Sequence, residues 1–454
     1  MMTSIHSHRA RGLLAGTAVA MLATLIGSAA GASELQGQYT AANHQKLEQA
    51  WSSEGQPIPT TATADGRYGV STGWASASDS ALTISGNRQS AEVAGNAATT
   101  TLTAKTVRAE GGGTYEPTPF AVLSNRQTGN GAVKATSRMT VAVPGEIGGS
   151  SVTLSDNANT ALARMNDASN GLTVETVGLS GDVQLGSRQR AAGQVTTSAS
   201  SRIGVGNAGS PIASSRATVE SNSTASEATA NRALNSLTAT AASVSGGRTV
   251  LDNRQSNDAE VRSTTKAAFG VAGSGAYGSA IGIEGNSAAS LARGNVAENR
   301  MTVSGGVGNG DYPGGGEVPM LARASVSLPI AGSVLSNRQV NTGAVTAKTV
   351  AGAGVALNCG CTNDSRIGAT DNTGSASAYG NAALNGATVN GNGQPVALVS
   401  NVQVNRGPVS ATVVGHFGAS MTGGVNAGLV TIAGNSLTAT AIGNQAVNTL
   451  TASR

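Results

Sequence analysis

Large aromatic side chains are nearly absent from this 454-residue chain, which has three Phe, six Tyr and two Trp. A wide globular core leans on such rings, so this composition excludes one. Charge is also scarce, at 11% of residues with a formal net charge of +4. That balance is too weak to hold a phosphate backbone, so nucleic acid is excluded as a partner. The chain holds two cysteines, Cys359 and Cys361, separated by one glycine. They are spaced for a tight local disulfide in an oxidising compartment, or for cross-linking two molecules. A metal site would need more ligands than these two, and no His lies near them, so no metal or cofactor is expected. Beyond the first thirty residues no apolar run is long enough to cross a bilayer as a helix.

Residues 1–32 read as an export signal. His6, His8, Arg9 and Arg11 give a polar, positive start, Leu13 to Ile26 an apolar stretch, and Ser28-Ala29-Ala30 or Ala30-Gly31-Ala32 a small-residue cleavage site. Its removal takes two positive charges, Arg9 and Arg11, with it. The expected location of the remainder is outside the cell.

What the chain has in quantity is Gly, with 62 copies, and a regular alternation of apolar and polar residues that argues against disorder. It also has a two-part repeat. One half carries Asn at spacings of nine and then four: Asn157/Asn166/Asn170, Asn222/Asn231/Asn235, Asn286/Asn295/Asn299, Asn372/Asn381/Asn385 and Asn435/Asn444/Asn448. The other half is N-R-Q or a variant, at Asn125-Arg126-Gln127, Ser187-Arg188-Gln189, Asn253-Arg254-Gln255, Asn337-Arg338-Gln339 and Asn401-Val402-Gln403. The halves alternate strictly, most periods run 62 to 66 residues, and a hybrid (Asn87-Arg88-Gln89, with Asn96) opens the series. A fixed period means one supersecondary unit stacked on copies of itself. The fold class is therefore all-β: an elongated β-solenoid (β-helix) over 67–454, its handedness not readable. With three rungs of about 21 residues per period, spaced ~4.8 Å, the rod is roughly 85 Å long. Two larger coils per period also fit. The one long interval, Asn286 to Asn372, carries a Gly/Pro-rich loop insertion near 304–320.

Residues 33–66 depart from the pattern. Thr40 is placed to cap a short helix through Trp51, with Leu47 and Trp51 on one face, and Gly55, Pro57 and Pro59 stop it. This segment is expected to cap the first rung or dock onto a partner.

The repeated Asn and Gln residues are expected to hold corners and rung-to-rung amide ladders. The Arg residues of the N-R-Q half (Arg88, Arg126, Arg188, Arg254 and Arg338) recur with the period and should line one side of the rod. There they are candidates for gripping anionic sugars through charge-assisted hydrogen bonds, or for satisfying corner carbonyls and acids. Catalytic signatures are missing. His44 and His416 are the histidines beyond the leader, and the acids show no recurring pair. Gly204-Val205-Gly206-Asn207-Ala208-Gly209 matches a dinucleotide fingerprint without its strand–helix context. No enzyme is expected.

The units Ser124-Asn125-Arg126-Gln127, Ser336-Asn337-Arg338-Gln339 and Gly434-Asn435-Ser436-Leu437-Thr438-Ala439, in an exported, aromatic-poor chain, resemble the holdfast-anchoring proteins of stalked bacteria. The resemblance covers the leader and the repeats and rests on composition and these short units. It implies a cell-surface location at the outer membrane, export through a curli-type secretion pore and other holdfast-anchor proteins as partners. It also implies anchoring of an adhesive polysaccharide. The residues themselves leave three readings: a surface anchor that also homopolymerises end to end, a secreted β-helix enzyme acting on polysaccharide, and a passive filament subunit.

Overall fold

The computed structural model describes residues 21–25, 39–48, 50–51, 57–70, 77–106, 120–179, 181–244, 248–307, 332–358, 362–391 and 397–453. They form one seven-stranded and four six-stranded parallel sheets, with a small antiparallel pair, Ala50–Trp51 on Pro57–Ile58. The chain visits the five parallel sheets in a fixed order, here called sheets I to V. One circuit reads Val183–Ala191 (sheet I), Gln194–Val205 (II), Ile212–Ala213 (III), Arg216–Glu220 (IV) and Ser223–Val244 (V). The expected all-β repeat solenoid is what the chain forms.

Its coil is larger than expected. Asn166 pairs with Asn231, Asn231 with Asn295 and Asn295 with Asn381, each one full period away. A period is therefore one coil rather than three. The N-R-Q half lies on sheet I, and the Asn half opens and fills sheet V of the same coil. Their alternation in sequence is the chain crossing its own section, not climbing the axis. The described residues make six coils, which at ~4.8 Å each rise roughly 29 Å, a shorter stack than the thin rod of about 85 Å that was expected.

The first coil begins at Tyr39. Tyr39–Leu47 is a strand of sheet I, not the expected helix, and Thr60–Gly69 is the first strand of sheet II. Tertiary pairing overrides the helical spacing of Leu47 and Trp51 here. Asn43-His44-Gln45 lies in register on Asn125-Arg126-Gln127, a worn copy of the same half-repeat. Asn43 donates to Asn125 at 3.2 Å, and Gln127 donates to Gln45 at 2.8 Å. Met21–Leu25, inside the segment read as a leader, pairs with Thr100–Ala104 at the edge of sheet V.

Sheet IV ends in a left-handed corner in every coil. Gly86, Asp156, Ser221, Gly285, Asp371 and Gly434 stack there with φ of 54° to 68°, a conformation that Gly, Asp and Ser visit at small cost. A second such column, from Asp79 to Ala427, separates sheets III and IV. Ser150, Ser215, Ser279 and Ser365 follow it, each accepting from the backbone N–H of the coil before.

Sheet V strands run to 22 residues and bend once. At the bend two consecutive residues turn inward, so the alternation slips by one. The first of the two is Gly95, Met165, Ala230, Gly294, Gly380 or Gly443, and the second is always Asn. Opposite the first lies the last residue of the sheet I strand: Leu47, Gly129, Ala191, Asn257, Asn341 or Asn405. The two columns trade volume coil by coil. A Cβ added to Gly129 runs into Met165, one on Gly95 into Leu47, and one on Gly380 into Asn405.

The section holds three apolar cells. One, walled by sheets II, III and IV, holds Met139, Val141, Leu154, Ile203, Phe269 and Ile283. A second, between sheets I and V, holds Leu123, Leu172, Leu185, Leu237 and Met301. The third holds Val133, Ala163, Met165 and Val195 where the first half of sheet V meets sheet II. Hydrophobic burial in such narrow cells is met mostly by Ala, Val and Leu, which suits a chain poor in rings. Polar partitions divide the cells. Asn159, Ser137 and Ser201 form one, continued by Ser226, Ser263 and Thr265. The amide ladders form the other.

Length variation falls at the corner from sheet V to sheet I. The excess of the long period lies there, between Val307 and Ser333, where residues 308–331 are outside the described residues. Cys359 and Cys361 also lie outside the described residues.

Candidate functional site

The Asn columns form ladders as expected. Asn157, Asn222, Asn286 and Asn372 each donate through Nδ2 to the Oδ1 of the next coil's Asn at 2.9 to 3.0 Å. Asn87 joins this column by donating to Asn157. Asn166, Asn231, Asn295 and Asn381 do the same at 2.7 to 2.8 Å, ending on Asn444. Asn170, Asn235, Asn299 and Asn385 form the third, ending on Asn448.

A further ladder is made by the Gln of N-R-Q, and it runs the other way. Gln127, Gln189, Gln255, Gln339 and Gln403 each donate Nε2 to the Oε1 of the preceding coil's Gln. Each also donates across the core to a sheet V carbonyl, as Gln189 does to Arg232 O at 2.7 Å. The Asn ladder returns the contact, with Asn231 donating to Ser256 O at 2.8 Å. Sheets I and V are thus stitched together in both directions. Sequence reasoning placed the Asn and Gln ladders; the reversed direction of the Gln ladder, the corner Ser column and the buried Ser/Thr partition went unread. The constant N-x-Q spacing was the signal for the Gln ladder, since residues two apart in a strand face the same way.

That alternation turns the Arg outward. In register on sheet I lie His44, Arg126, Arg188, Arg254, Arg338 and Val402. Arg88 is not among them. It lies on sheet V, in register with Ala158, because Asn87-Arg88-Gln89 is the first Asn half and only mimics N-R-Q. Arg126, Arg188 and Arg338 are exposed. Among the described residues no carboxylate lies within ion-pair distance of them. Guanidinium-bearing residues one coil apart are spaced ~4.8 Å at the backbone, a linear run of like charge.

The fourth Arg is different. Asp252, 2% exposed although on this outer face, accepts from Arg254 Nε at 3.0 Å through Oδ2, while its Oδ1 has no hydrogen-bond partner among the described residues. Burial pushes its carboxyl above the usual range, against the pull of Arg254 and Arg188 and a hydrogen bond from Ser336. A raised folded-state pKa stabilises the fold at low pH, and that contribution is lost as pH rises through the folded value. Asp252→Asn is therefore expected to be more stable than the parent at neutral pH. The difference should close as pH falls into the ordinary carboxylate range, read as thermal midpoints of the two proteins across pH.

Two grooves mark other faces. One, of about 610 Å³, crosses sheet II over Gly204, Gly270 and Gly354, with Arg202 and His416 at its sides. Val205 ends a strand and Gly206 turns with φ 76°, with no helix following, so the glycine-rich motif there is a strand end. The other, of about 220 Å³, crosses sheet IV between Arg216 and Arg366 on one side and Glu220 and Glu284 on the other. Glu220 and Glu284 are in-register neighbours. His44 lies on sheet I and His416 on sheet II, so no site joins them.

Comparison with family models, with curated proteins and with solved structures finds no match to the chain.

Proposed function

We propose that this chain is a non-enzymatic surface protein, an adhesin-like anchor that ties an acidic adhesive polysaccharide to the outer membrane. The observation that carries this reading is the row of exposed Arg126, Arg188 and Arg338 on one sheet, with no carboxylate within ion-pair distance among the described residues. Planar guanidinium groups grip carboxylates through paired hydrogen bonds. A linear row of them on a stiff face suits a linear polyanion, whose many weak contacts add up by multivalency. The resemblance to holdfast-anchoring proteins supports the same reading. It brings with it the outer-membrane location, the curli-type secretion pore and the companion anchor proteins.

The test uses polygalacturonate, a linear carboxylated polysaccharide, against neutral dextran. The parent chain is expected to bind polygalacturonate at low salt and release it as salt rises. The triple variant Arg126→Ala, Arg188→Ala, Arg338→Ala should bind at least tenfold more weakly with an unchanged melting temperature. Equal binding by the two would remove the reading.

One observation favours a second reading, a glycan-cleaving enzyme. Carboxylates of retaining glycosidases lie about 5 to 5.5 Å apart, and Glu220 and Glu284 extend from adjacent strands spaced ~4.8 Å. New reducing ends from polygalacturonate, lost in Glu220→Gln, would put that reading in place of the anchor.

A further inference from the structure

The two open faces of the solenoid carry opposite, matching hydrogen-bonding groups. Every Asn column donates toward the next coil, so a sixth-coil Asn has an Nδ2 proton pointing away from the body. In the first coil, the Asn Oδ1 atoms are the acceptors, with no Asn of an earlier coil among the described residues. Asn435 and Asn444 stand at one face, Asn87 and Asn96 at the other. The Gln ladder runs in reverse and gives the reverse match: among the described residues Gln403 Oε1 accepts from no later Gln and Gln45 Nε2 donates to no earlier one.

The apolar cells match as well. Ile432 and Leu450, in columns buried in earlier coils, are 52% and 47% exposed in the sixth. Their counterparts in the first coil are Ile84 and Leu102. Strand edges of sheets I to IV are unpaired at both faces among the described residues.

We propose that the sixth coil of one molecule stacks in register on the first coil of a second copy, continuing every ladder without a change of direction. This rests on the self-assembly part of the anchor reading and gives it a polarity: the contact is head to tail, because two like faces would set donor against donor. A head-to-tail contact of this kind does not close, and so extends. Met21–Leu25 holds part of the first-coil edge at Thr100–Ala104, so stacking displaces this segment, and its removal should favour assembly.

The experiment measures mass against concentration for the full chain and for a chain lacking residues 1–32. Multimers in either are expected; monomers in both at high concentration would overturn the proposal. Polarity is tested by complementation. Ile432→Lys with Leu450→Lys blocks one face, and Leu82→Lys with Ile84→Lys blocks the other, folding being checked by circular dichroism. Each variant alone should shift the association midpoint at least tenfold toward monomer, and a mixture should form one-to-one dimers. Failure of the mixture to dimerise, or dimers from either variant alone, would refute the head-to-tail contact. Polygalacturonate binding is a separate readout of the side face, so loss of stacking leaves the anchor reading standing or falling on its own test.

Discussion

Asn231→Ala is expected to destabilise the chain by about 3 kcal/mol or more, measured as the shift in urea midpoint. Asn231 is fully buried and placed in the middle of a ladder. Its amide accepts from Asn166, donates to Asn295 and donates to Ser256 O across the core. Removing it strands two buried amides, Asn166 and Asn295, and the half-buried Ser256 carbonyl, and a buried group costs roughly 1 to 3 kcal/mol when left without a partner. Substitution at an exposed site such as Thr240 should change the midpoint little. The chain holds a natural control. Ser187 replaces Asn on sheet I, and there Asn125 turns to Asn170 at 2.7 Å while Asn170 donates to Ser187 at 3.3 Å. The ladder tolerates a shorter residue where a hydroxyl and a neighbouring amide close the gap. Alanine offers neither. A shift below about 1 kcal/mol would mean that the ladders are not what holds sheets I and V together.

The second large effect concerns the traded volumes at the bend of sheet V. Gly129→Leu alone drives a side chain into Met165, and is expected to cost about 2 kcal/mol or more, the usual range for overpacking. Pairing it with Met165→Gly copies the first coil, where Leu47 faces Gly95. The double variant should recover most of the loss, with a coupling energy of roughly 1 to 3 kcal/mol in a double-mutant cycle. Additive losses would show that the two columns do not share one space.

Both expectations rest on contacts that the sequence encodes only in part. The Asn spacing of nine and four was legible because it recurs in identical form, and with it the class of fold. The size of the coil was not. A short alternating strand reads the same in a triangular coil of about 21 residues as in a five-sided one of a whole period, since alternation reports facing and not perimeter. The first coil was hidden by divergence: Asn43-His44-Gln45 keeps the ladder residues and loses the Arg, so the surviving signal was inward Asn and Gln. Arg88 misled for the reverse reason, because its neighbours imitate N-R-Q while its strand belongs to sheet V. The slip in alternation at Met165 and Asn166 breaks the period of two in the middle of a 22-residue strand, so a strand of that length is not legible from alternation. Glu220 and Glu284 could not be paired from sequence without knowing that 64 residues make one coil.

The central claim is that one period is one coil, and cross-linking tests it directly. Thr173 and Thr238 are in-register neighbours on sheet V, facing out. Adjacent strands at ~4.8 Å fall within the Cα range a disulfide accepts, whereas two coils, at ~9.6 Å, exceed it. With Cys359→Ser and Cys361→Ser in place, Thr173→Cys and Thr238→Cys should yield an intramolecular disulfide on mild oxidation. Thr173→Cys with Thr302→Cys, two periods apart, should not. A bond in the second pair and none in the first, or in neither, would contradict the one-period coil.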